Sequence, residues 1–413
     1  HFNGAIYSFD GGTTITAKAG DTINAGAGAA TTFKTANDSI EFATGNIVLA
    51  DGSDLTIDTG AGTGNVTLVS IDGDSSEDVT IDAGTGTTSV GVIGSGTEIG
   101  TLSIGSSDNG GITLNGAITT TGTVEMDGPV TLATTAISVT TTNDAITFGH
   151  TINGTQSLTL ESGSAAIKLE GAIGNTAILT GLSVNATDNS AGTIEINNIG
   201  NTAEGVNTGT ISVGNANTAT LTLDGTIYRT DGITVYEAAS GNTILLTGAS
   251  PTISTKNDNL TFDGGNIVLS TDGTTTIDTE LSNSGGAGNI LIDGTIDGTN
   301  TESEALVITS GSGTLAIQGT IGGAHELTNL TINGSGTGTV ELFGIGDSDQ
   351  VGATGTAAIG NTSTATLTLD GTIYKTTGAQ TYTAAAGQNI DITGVATFTT
   401  TNTAVGFATA GVD

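Results

Sequence analysis

The stretch Ala-Thr-Leu-Thr-Leu-Asp-Gly-Thr-Ile-Tyr occupies residues 219–228 and returns unchanged at residues 365–374. Its two leucines alternate with threonines, and an Asp-Gly pair then interrupts the alternation. Alternation of apolar and polar residues is typical of a half-buried strand, and Asp-Gly is typical of a turn. Thr and Ile suit a strand because β-branching restricts their side chains to strand-compatible rotamers. The stretch therefore predicts a strand and a turn, used more than once.

Looser copies of this stretch divide the whole chain into repeat units, and such a period has to be recognised before the fold is assigned. GAIYSFDGG opens at Gly4 and GAITTTGTV opens at Gly116. A second pattern, Asn-Asp-x-(Ile/Leu)-x-Phe, keeps the same phase at residues 37–42, 143–148 and 257–262, and more weakly at 402–407. The predicted units are residues 4–115, 116–224, 225–370 and, in part, 371–413.

The composition predicts a chain that is almost entirely β. There are 66 glycines in 413 residues, and each glycine inside a helix costs about 1 kcal/mol relative to alanine. The Ile, Leu and Val residues lie in alternating runs, which argues against disorder. Aromatic residues make up only 3% of the chain, which suits a narrow tube better than a thick sandwich.

Two architectures fit many short strands separated by turns: a parallel β-helix and a row of Ig-like β-sandwiches. The unit length rises from 109 to 146 residues, which stacked coils accommodate more easily than a closed sandwich. No linker separates the units. We therefore predict one continuous parallel β-helix (β-solenoid) of irregular coils over residues 1–413, with tandem Ig-like sandwiches as the alternative.

The charge of the chain excludes several classes of partner. The chain contains six Lys and Arg residues and 41 Asp and Glu residues, which gives a net charge of −35. Such a chain repels nucleic acid and anionic membrane surfaces, although it could attract divalent cations. No apolar run reaches the roughly 18 residues of a membrane-spanning helix. We expect no nucleic-acid partner and no membrane span, and the absence of cysteine excludes disulfides.

The densest acidic cluster lies at residues 72–78 and has the sequence Asp-Gly-Asp-Ser-Ser-Glu-Asp. Carboxylates at alternate positions can supply the hard oxygen ligands that Ca²⁺ prefers. The cluster lacks the glycine and glutamate positions of an EF-hand loop. Asp72, Asp74 and Asp78 are therefore candidate Ca²⁺ ligands, and the alternative is a solvated turn between coils. No other cofactor is expected.

The remaining chemistry-bearing residues favour structural roles. His1, His150 and His325 lie too far apart in sequence for a zinc motif. Arg229 and Lys375 occupy equivalent repeat positions, and no pair of carboxylates marks a hydrolase cleft. We therefore predict no catalytic residue and no enzyme. The five tyrosines near the openings of units are interpreted as packing residues rather than sugar platforms.

The Gly/Thr-rich pattern of the last unit carries a resemblance to a known family. Its carriers are Gly371 to Tyr374, Thr377 to Tyr382 and Thr400 to Asn402, with their upstream counterparts. This pattern resembles the repeats of filamentous-haemagglutinin-like and autotransporter-like bacterial surface proteins. The resemblance implies a right-handed parallel β-helix that is secreted or attached to the cell surface as a stalk or adhesin.

These observations lead to one functional expectation. We expect an extracellular bacterial structural protein: a filament or sheath subunit, or an adhesin stalk, whose copies stack head to tail. Cell-surface or matrix glycans are the expected external ligands. The alternative is a carbohydrate-active or glycan-binding β-helix.

Overall fold

The computed structural model describes residues 1–18, 20–74, 76–105, 110–134, 136–187, 190–201, 209–280, 286, 288–299 and 303–409. Within these ranges the chain forms strands joined by turns, without a helix. Two compact units are present, His1–Asn197 (unit 1) and Asn198–Asp413 (unit 2). Our prediction of one continuous solenoid over residues 1–413 stays a prediction.

The described residues of unit 1 form 22 strands, each three to seven residues long. In chain order these are β1 (Ile6–Ser8), β2 (Thr13–Thr16), β3 (Thr22–Ala25), β4 (Thr31–Lys34), β5 (Ile40–Thr44), β6 (Asn46–Leu49), β7 (Leu55–Asp58), β8 (Val66–Asp72), β9 (Val79–Asp82), β10 (Thr87–Ile93), β11 (Leu102–Gly105), β12 (Gly111–Leu114), β13 (Ile118–Thr120), β14 (Val124–Asp127), β15 (Val130–Leu132), β16 (Ile137–Thr141), β17 (Ile146–Phe148), β18 (Ile152–Gly154), β19 (Ser157–Glu161), β20 (Ile167–Leu169), β21 (Gly181–Val184) and β22 (Thr193–Ile196).

The described residues of unit 2 form a further 22 strands. These are β23 (Ile211–Val213), β24 (Thr220–Leu223), β25 (Ile227–Thr230), β26 (Thr234–Glu237), β27 (Thr243–Leu246), β28 (Thr252–Thr255), β29 (Leu260–Asp263), β30 (Asn266–Leu269), β31 (Gly273–Asp278), β32 (Ile290–Ile292), β33 (Ile296–Asp297), β34 (Glu304–Thr309), β35 (Leu315–Ile321), β36 (Leu330–Ile332), β37 (Val340–Ile345), β38 (Ala357–Ile359), β39 (Leu367–Leu369), β40 (Ile373–Lys375), β41 (Gln380–Ala384), β42 (Ile390–Ile392), β43 (Thr397–Thr399) and β44 (Val405–Thr409).

Three strands make one coil, and successive coils pair in parallel. In unit 1 the three resulting sheets contain β1-β4-β7-β9-β11-β14-β17-β20-β22 (sheet 1a), β2-β5-β8-β10-β12-β15-β18 (sheet 1b) and β3-β6-β8-β10-β13-β16-β19-β21 (sheet 1c). The long strands β8 and β10 bend and serve two sheets.

Unit 2 repeats this arrangement. Its sheets contain β24-β27-β30-β33-β35-β37-β40-β43 (sheet 2a), β25-β28-β31-β34-β36-β38-β41-β44 (sheet 2b) and β23-β26-β29-β32-β35-β37-β39-β42 (sheet 2c). The two units together contain about 16 turns of a parallel β-solenoid. The prediction of an all-β solenoid is confirmed. The Ig-like alternative is wrong, because Ig-like sheets are antiparallel.

The coils are irregular in length, as the sequence predicts. The register partners Leu114 and Leu132 are 18 residues apart, whereas Ile277 and Ile308 are 31 residues apart. Loops at the corners absorb much of the difference, because a loop at a corner faces solvent and tolerates insertion.

The core is a stack of inward-facing aliphatic side chains with a few aromatic rings. Tyr228, Tyr236, Tyr374 and Tyr382 are completely buried, which confirms that these tyrosines are packing residues. The fifth, Tyr7, is half-buried and stacks on a neighbouring phenylalanine ring in the next coil with 5.2 Å between ring centroids.

The exact ten-residue repeat does not return to the same sheets. In the copy at residues 219–228, the first strand is β24 in sheet 2a and the second is β25 in sheet 2b. In the copy at residues 365–374, the first strand is β39 in sheet 2c and the second is β40 in sheet 2a. The sequence period of unit 2 is therefore not a whole number of coils, and one strand-turn-strand segment fits two different corners.

In unit 1 too, the copies of a repeated motif enter different sheets. The Asn-Asp-x-(Ile/Leu)-x-Phe pattern leads into β5 of sheet 1b at residues 37–42, but into β17 of sheet 1a at residues 143–148. The first asparagine has a positive φ in both copies, 74° at Asn37 and 63° at Asn143. Asparagine tolerates this left-handed conformation better than most residues, so the motif specifies a type of corner rather than one particular corner.

Candidate functional site

The acidic segment predicted as a Ca²⁺ site forms a corner loop of unit 1. Asp72 ends β8, and β9 begins at Val79 directly after the segment. A Cβ atom at Gly73 would lie 2.7 Å from the carbonyl oxygen of Glu98 in the next coil. The loop therefore packs directly on the coil above it, and glycine is required for that approach. Ser75 lies outside the described residues.

The carboxylates of Asp72 and Asp78 accept hydrogen bonds from adjacent coils. Asp72 Oδ1 accepts from the N–H of Gly96 at 2.8 Å, and its Oδ2 accepts from Nδ2 of Asn46 at 2.6 Å. Asp78 Oδ1 accepts from the N–H of Thr101 at 2.6 Å. These two side chains thus join neighbouring coils of the solenoid.

The structure does not gather the three predicted ligands into a metal site. The side chain of Asp74 is exposed, while Asp72 and Asp78 use carboxylate oxygens for the coil contacts. In the part of the chain that the structure describes, no group of three or more His, Asp or Glu residues is placed to hold a metal ion. The Ca²⁺ site at Asp72, Asp74 and Asp78 stays a prediction without support from these contacts.

The residue that organises this loop is Glu77, whose side chain is completely buried. Glu77 Oε1 accepts a hydrogen bond from the N–H of Gly52 in the preceding coil at 3.0 Å. Its Oε2 accepts from the N–H groups of Asp74 at 2.5 Å and Ser76 at 3.4 Å. The carboxylate therefore closes its own loop and ties that loop to the preceding coil.

The ionisation of Glu77 follows from these contacts. Burial alone would raise the pKa of this carboxyl, because a charged group loses hydration in the interior. The hydrogen bonds from backbone N–H groups, of which those of Asp74 and Gly52 contribute most, outweigh burial and lower the pKa below its usual value. Glu77 is therefore ionised near neutral pH and stabilised by backbone donors.

Unit 2 contains a second corner of the same design. Ile-Asp-Gly at residues 71–73 recurs at 292–294 and at 296–298, and the copies at 71–73 and 296–298 each lead to a buried glutamate, Glu77 or Glu304. Glu304 Oε2 accepts from the N–H of Ser303 at 3.1 Å, and its Oε1 accepts from the hydroxyl of Thr299. Residues 300–302 lie outside the described residues.

The aspartates of the two corners also correspond. Asp297 Oδ1 accepts a hydrogen bond from the N–H of Ala324 in the next coil at 2.8 Å, as Asp72 does from Gly96. A sequence comparison of the Ile-Asp-Gly segments at 71–73 and 296–298 could have identified the glutamate as the shared residue. Our sequence analysis counted Glu77 only as one charge of the acidic cluster and did not predict that it is buried.

A further set of Asn and Asp side chains joins coils at the residue that precedes a strand. Asn259 Oδ1 accepts from the N–H of Asn289 at 3.0 Å, and Asn289 Oδ1 accepts from the N–H of Thr314 at 2.8 Å. Asn65 accepts in the same way from Thr87 at 2.8 Å. In each pair the acceptor lies in the earlier coil. Side-chain acceptors thus extend the backbone ladder around the corners.

None of the three histidines is buried. His150 Nε2 lies 3.2 Å from Asp127 Oδ1, and both side chains are partly exposed. His1 is exposed and His325 is half-buried.

The arrangement of these residues is suited to holding coils together. Both carboxylate oxygens of Asp72, Glu77, Asp297 and Glu304 accept hydrogen bonds from N–H or O–H donors of the protein. Comparison of the chain with protein-family models, with curated proteins and with solved structures finds no match. Among the described residues, no helix has the length and apolar character needed to cross a membrane.

Proposed function

We propose that this chain is an extracellular structural β-solenoid, a filament or sheath subunit or an adhesin stalk of the kind that filamentous-haemagglutinin-like and autotransporter-like proteins contain. Within each unit the coils form a hydrogen-bonded stack, and the acidic, Thr-rich exterior keeps the chain soluble. Its expected setting is the bacterial cell surface or its surroundings. Contact with cell-surface or matrix glycans remains part of this proposal.

The observation that carries the proposal is the direction in which the repeated residues point. Leu221, Tyr228, Leu367 and Tyr374 of the two identical stretches are completely buried. The stretches also repeat outward-facing residues, among them Asp224 and Asp370, but the repeated inward-facing residues are the ones that fill the space between coils. The repeats therefore support coil stacking, which is what a structural stalk or filament requires.

Self-association of copies is the second part of the proposal. Every coil pairs with the next through the same parallel edges, so a second copy can use an edge of the same kind. Phe407, in the last described strand, is 47% exposed, whereas its register partner Tyr382 in the preceding coil is completely buried. The coil that contains Phe407 covers Tyr382, and a coil of a second copy could cover Phe407 in the same way.

Sedimentation velocity and negative-stain microscopy of the purified chain at rising concentration test this proposal. We expect association into fibres of constant width, and Phe407→Asp should abolish it. Phe343→Asp is the matched control, because Phe343 is 49% exposed but lies in the inner strand β37. A wild-type chain that stays monomeric at every concentration would contradict self-association. Equal loss with both variants would indicate lateral rather than end-on contact.

A further inference from the structure

A group of six charged side chains lies on sheet 2b. It occupies the carboxyl ends of β25, β28 and β31 and consists of Arg229, Asp231, Lys256, Asp258, Asp278 and Glu280, here called the Arg229 corner. It contains two of the six Lys and Arg residues of the whole chain. Three successive coils therefore contribute four carboxylates and two cations to one corner.

The cations of the Arg229 corner do not neutralise all of its carboxylates. Lys256 Nζ lies 3.8 Å from Asp231 Oδ2, and Arg229 acts on Asp278 from two strands away. The N–H of Glu280 donates to Asp278 Oδ1 at 2.7 Å, so these two carboxylates belong to one turn. Asp258 faces Asp231 across the coils. A negative excess therefore remains.

The interior of the corner contains a hydroxyl without a hydrogen bond. Ser254 lies between Arg229 and Asp278 in the register of sheet 2b. Its side chain is only 2% exposed, and its Oγ has no hydrogen-bond partner. An unpaired buried hydroxyl is costly, so the corner is not at its most favourable arrangement with its carboxylates ionised.

The next strand adds no charge to this corner among the described residues. Thr309 of β34 is the register partner of Asp278, and Ser310 and Gly311 follow it. A Cβ atom at Gly311 would lie 2.4 Å from Cγ of Glu280, so this glutamate is covered by the coil above it. Within the described ranges, the charged groups that act on Asp278 and Glu280 are therefore those of the corner itself.

We propose that the Arg229 corner is an acid-tightened clasp, in which protonation of Asp258, Asp278 and Glu280 strengthens the contact between three coils of unit 2. Neutral carboxyl groups no longer repel one another. A neutral carboxyl also carries an O–H that can donate a hydrogen bond, and Ser254 Oγ is an acceptor on the strand beside Asp278. The device is independent of the filament proposal.

The sign of the pH effect follows from the environment. Burial, opposed by the Glu280 N–H and by Arg229, raises the pKa of Asp278. Burial and the charge of Asp278 raise the pKa of Glu280, and burial and Asp231 raise that of Asp258. A carboxyl with a raised pKa in the folded state binds its proton more tightly than in the unfolded chain. Its stabilisation is complete below the usual pKa and is lost as the pH rises through the raised value.

Amide hydrogen exchange at about pH 7 and about pH 4, corrected for intrinsic rates, measures the clasp directly. We expect the amides of β28 and β31 to exchange at least about twofold more slowly at the lower pH, because the folded corner binds protons there more tightly than the unfolded chain does. Amides of β12 and β15 in unit 1 serve as the internal reference.

Variants that imitate the protonated state separate the clasp from general acid effects. Glu280→Gln, alone and with Asp278→Asn, should slow exchange at about pH 7 and remove most of the pH dependence. Asp127→Asn in unit 1 is the control and should leave β28 and β31 unchanged. The proposal would be overturned if the corrected exchange rates of β28 and β31 in the wild-type chain did not change with pH. It would also be overturned if Glu280→Gln kept the full pH dependence of these rates.

Discussion

The hydroxyl of Tyr382 donates a hydrogen bond to Oε1 of Gln380 at 2.9 Å in the core of unit 2. The equivalent tyrosine of the preceding repeat, Tyr236, is equally buried but its hydroxyl has no partner. The difference arises because Thr234 stands where Gln380 stands in the later repeat. The buried tyrosine hydroxyl is thus satisfied in the later copy of the motif and unsatisfied in the earlier one.

Replacement of these tyrosines by phenylalanine should have opposite consequences. Tyr236→Phe removes an unpaired hydroxyl and should leave stability unchanged or raise it by about 1 kcal/mol. Tyr382→Phe leaves the side-chain oxygen of Gln380 unpaired and should cost about 1–3 kcal/mol. Urea denaturation of both variants measures the difference. Equal losses would show that Tyr236 has a partner after all.

Gly371 should be irreplaceable, since a Cβ atom there would lie 1.2 Å from the carbonyl oxygen of Phe343. We expect Gly371→Ala to lose more than about 3 kcal/mol, because backbone has to move to relieve the clash. Gly394 is the control, with no atom within 4 Å of its Cβ position. Gly394→Ala should stay within about 0.5 kcal/mol of wild type by thermal denaturation. Similar melting of both variants would contradict the close coil approach.

Glu77 should contribute stability that acid removes. Its pKa is lowered in the folded state, so its contribution is present above the usual carboxyl pKa and is lost as the pH falls through the lowered value. Glu77→Gln should cost about 1–3 kcal/mol at neutral pH, and the gap to wild type should narrow in acid. Glu341→Gln, at an exposed position, is the control. A gap that is constant with pH would contradict an ionised Glu77.

The predicted Ca²⁺ site and the observed coil contacts lead to different outcomes at Asp74 and Asp78. If Asp78 acts by accepting the N–H of Thr101, Asp78→Ala should cost about 1 kcal/mol whether Ca²⁺ or a chelator is present. Asp74→Ala should then be nearly neutral. If the segment binds Ca²⁺, the wild-type melting temperature should rise with Ca²⁺ and both variants should lose that rise. Differential scanning calorimetry in both media decides between them.

The fold class was readable because its signal is local. Alternating Leu and Thr in residues 219–228 predict a strand, Asp-Gly predicts the turn, and a unit length that varies predicts stacked coils rather than closed domains. The positive φ of Asn37 and Asn143 follows the same logic, since the residue type and the corner are matched locally. The handedness of the solenoid stays a prediction from the resemblance.

The role of Glu77 was not readable in the same way. Glu77 lies between Ser76 and Asp78 in a polar, acidic segment. Its sequence context predicts an exposed side chain, because charged side chains are almost never completely buried unless they are paired. Its partners, the N–H groups of Gly52 and Asp74, come partly from a coil 25 residues earlier. Backbone donors leave no trace in the residue pattern, so only the stacked structure reveals them.

The sequence by itself determined the strands, the turns and the aliphatic interior, since these depend on residue type over a few positions. Only the tertiary structure decided which sheet each repeat enters, as the two identical stretches show by their different corners. The three sheets of a unit offer a strand nearly the same surroundings, an aliphatic interior on one face and solvent on the other. The sheet assignment therefore depends on the summed lengths of all intervening loops, which no local pattern records.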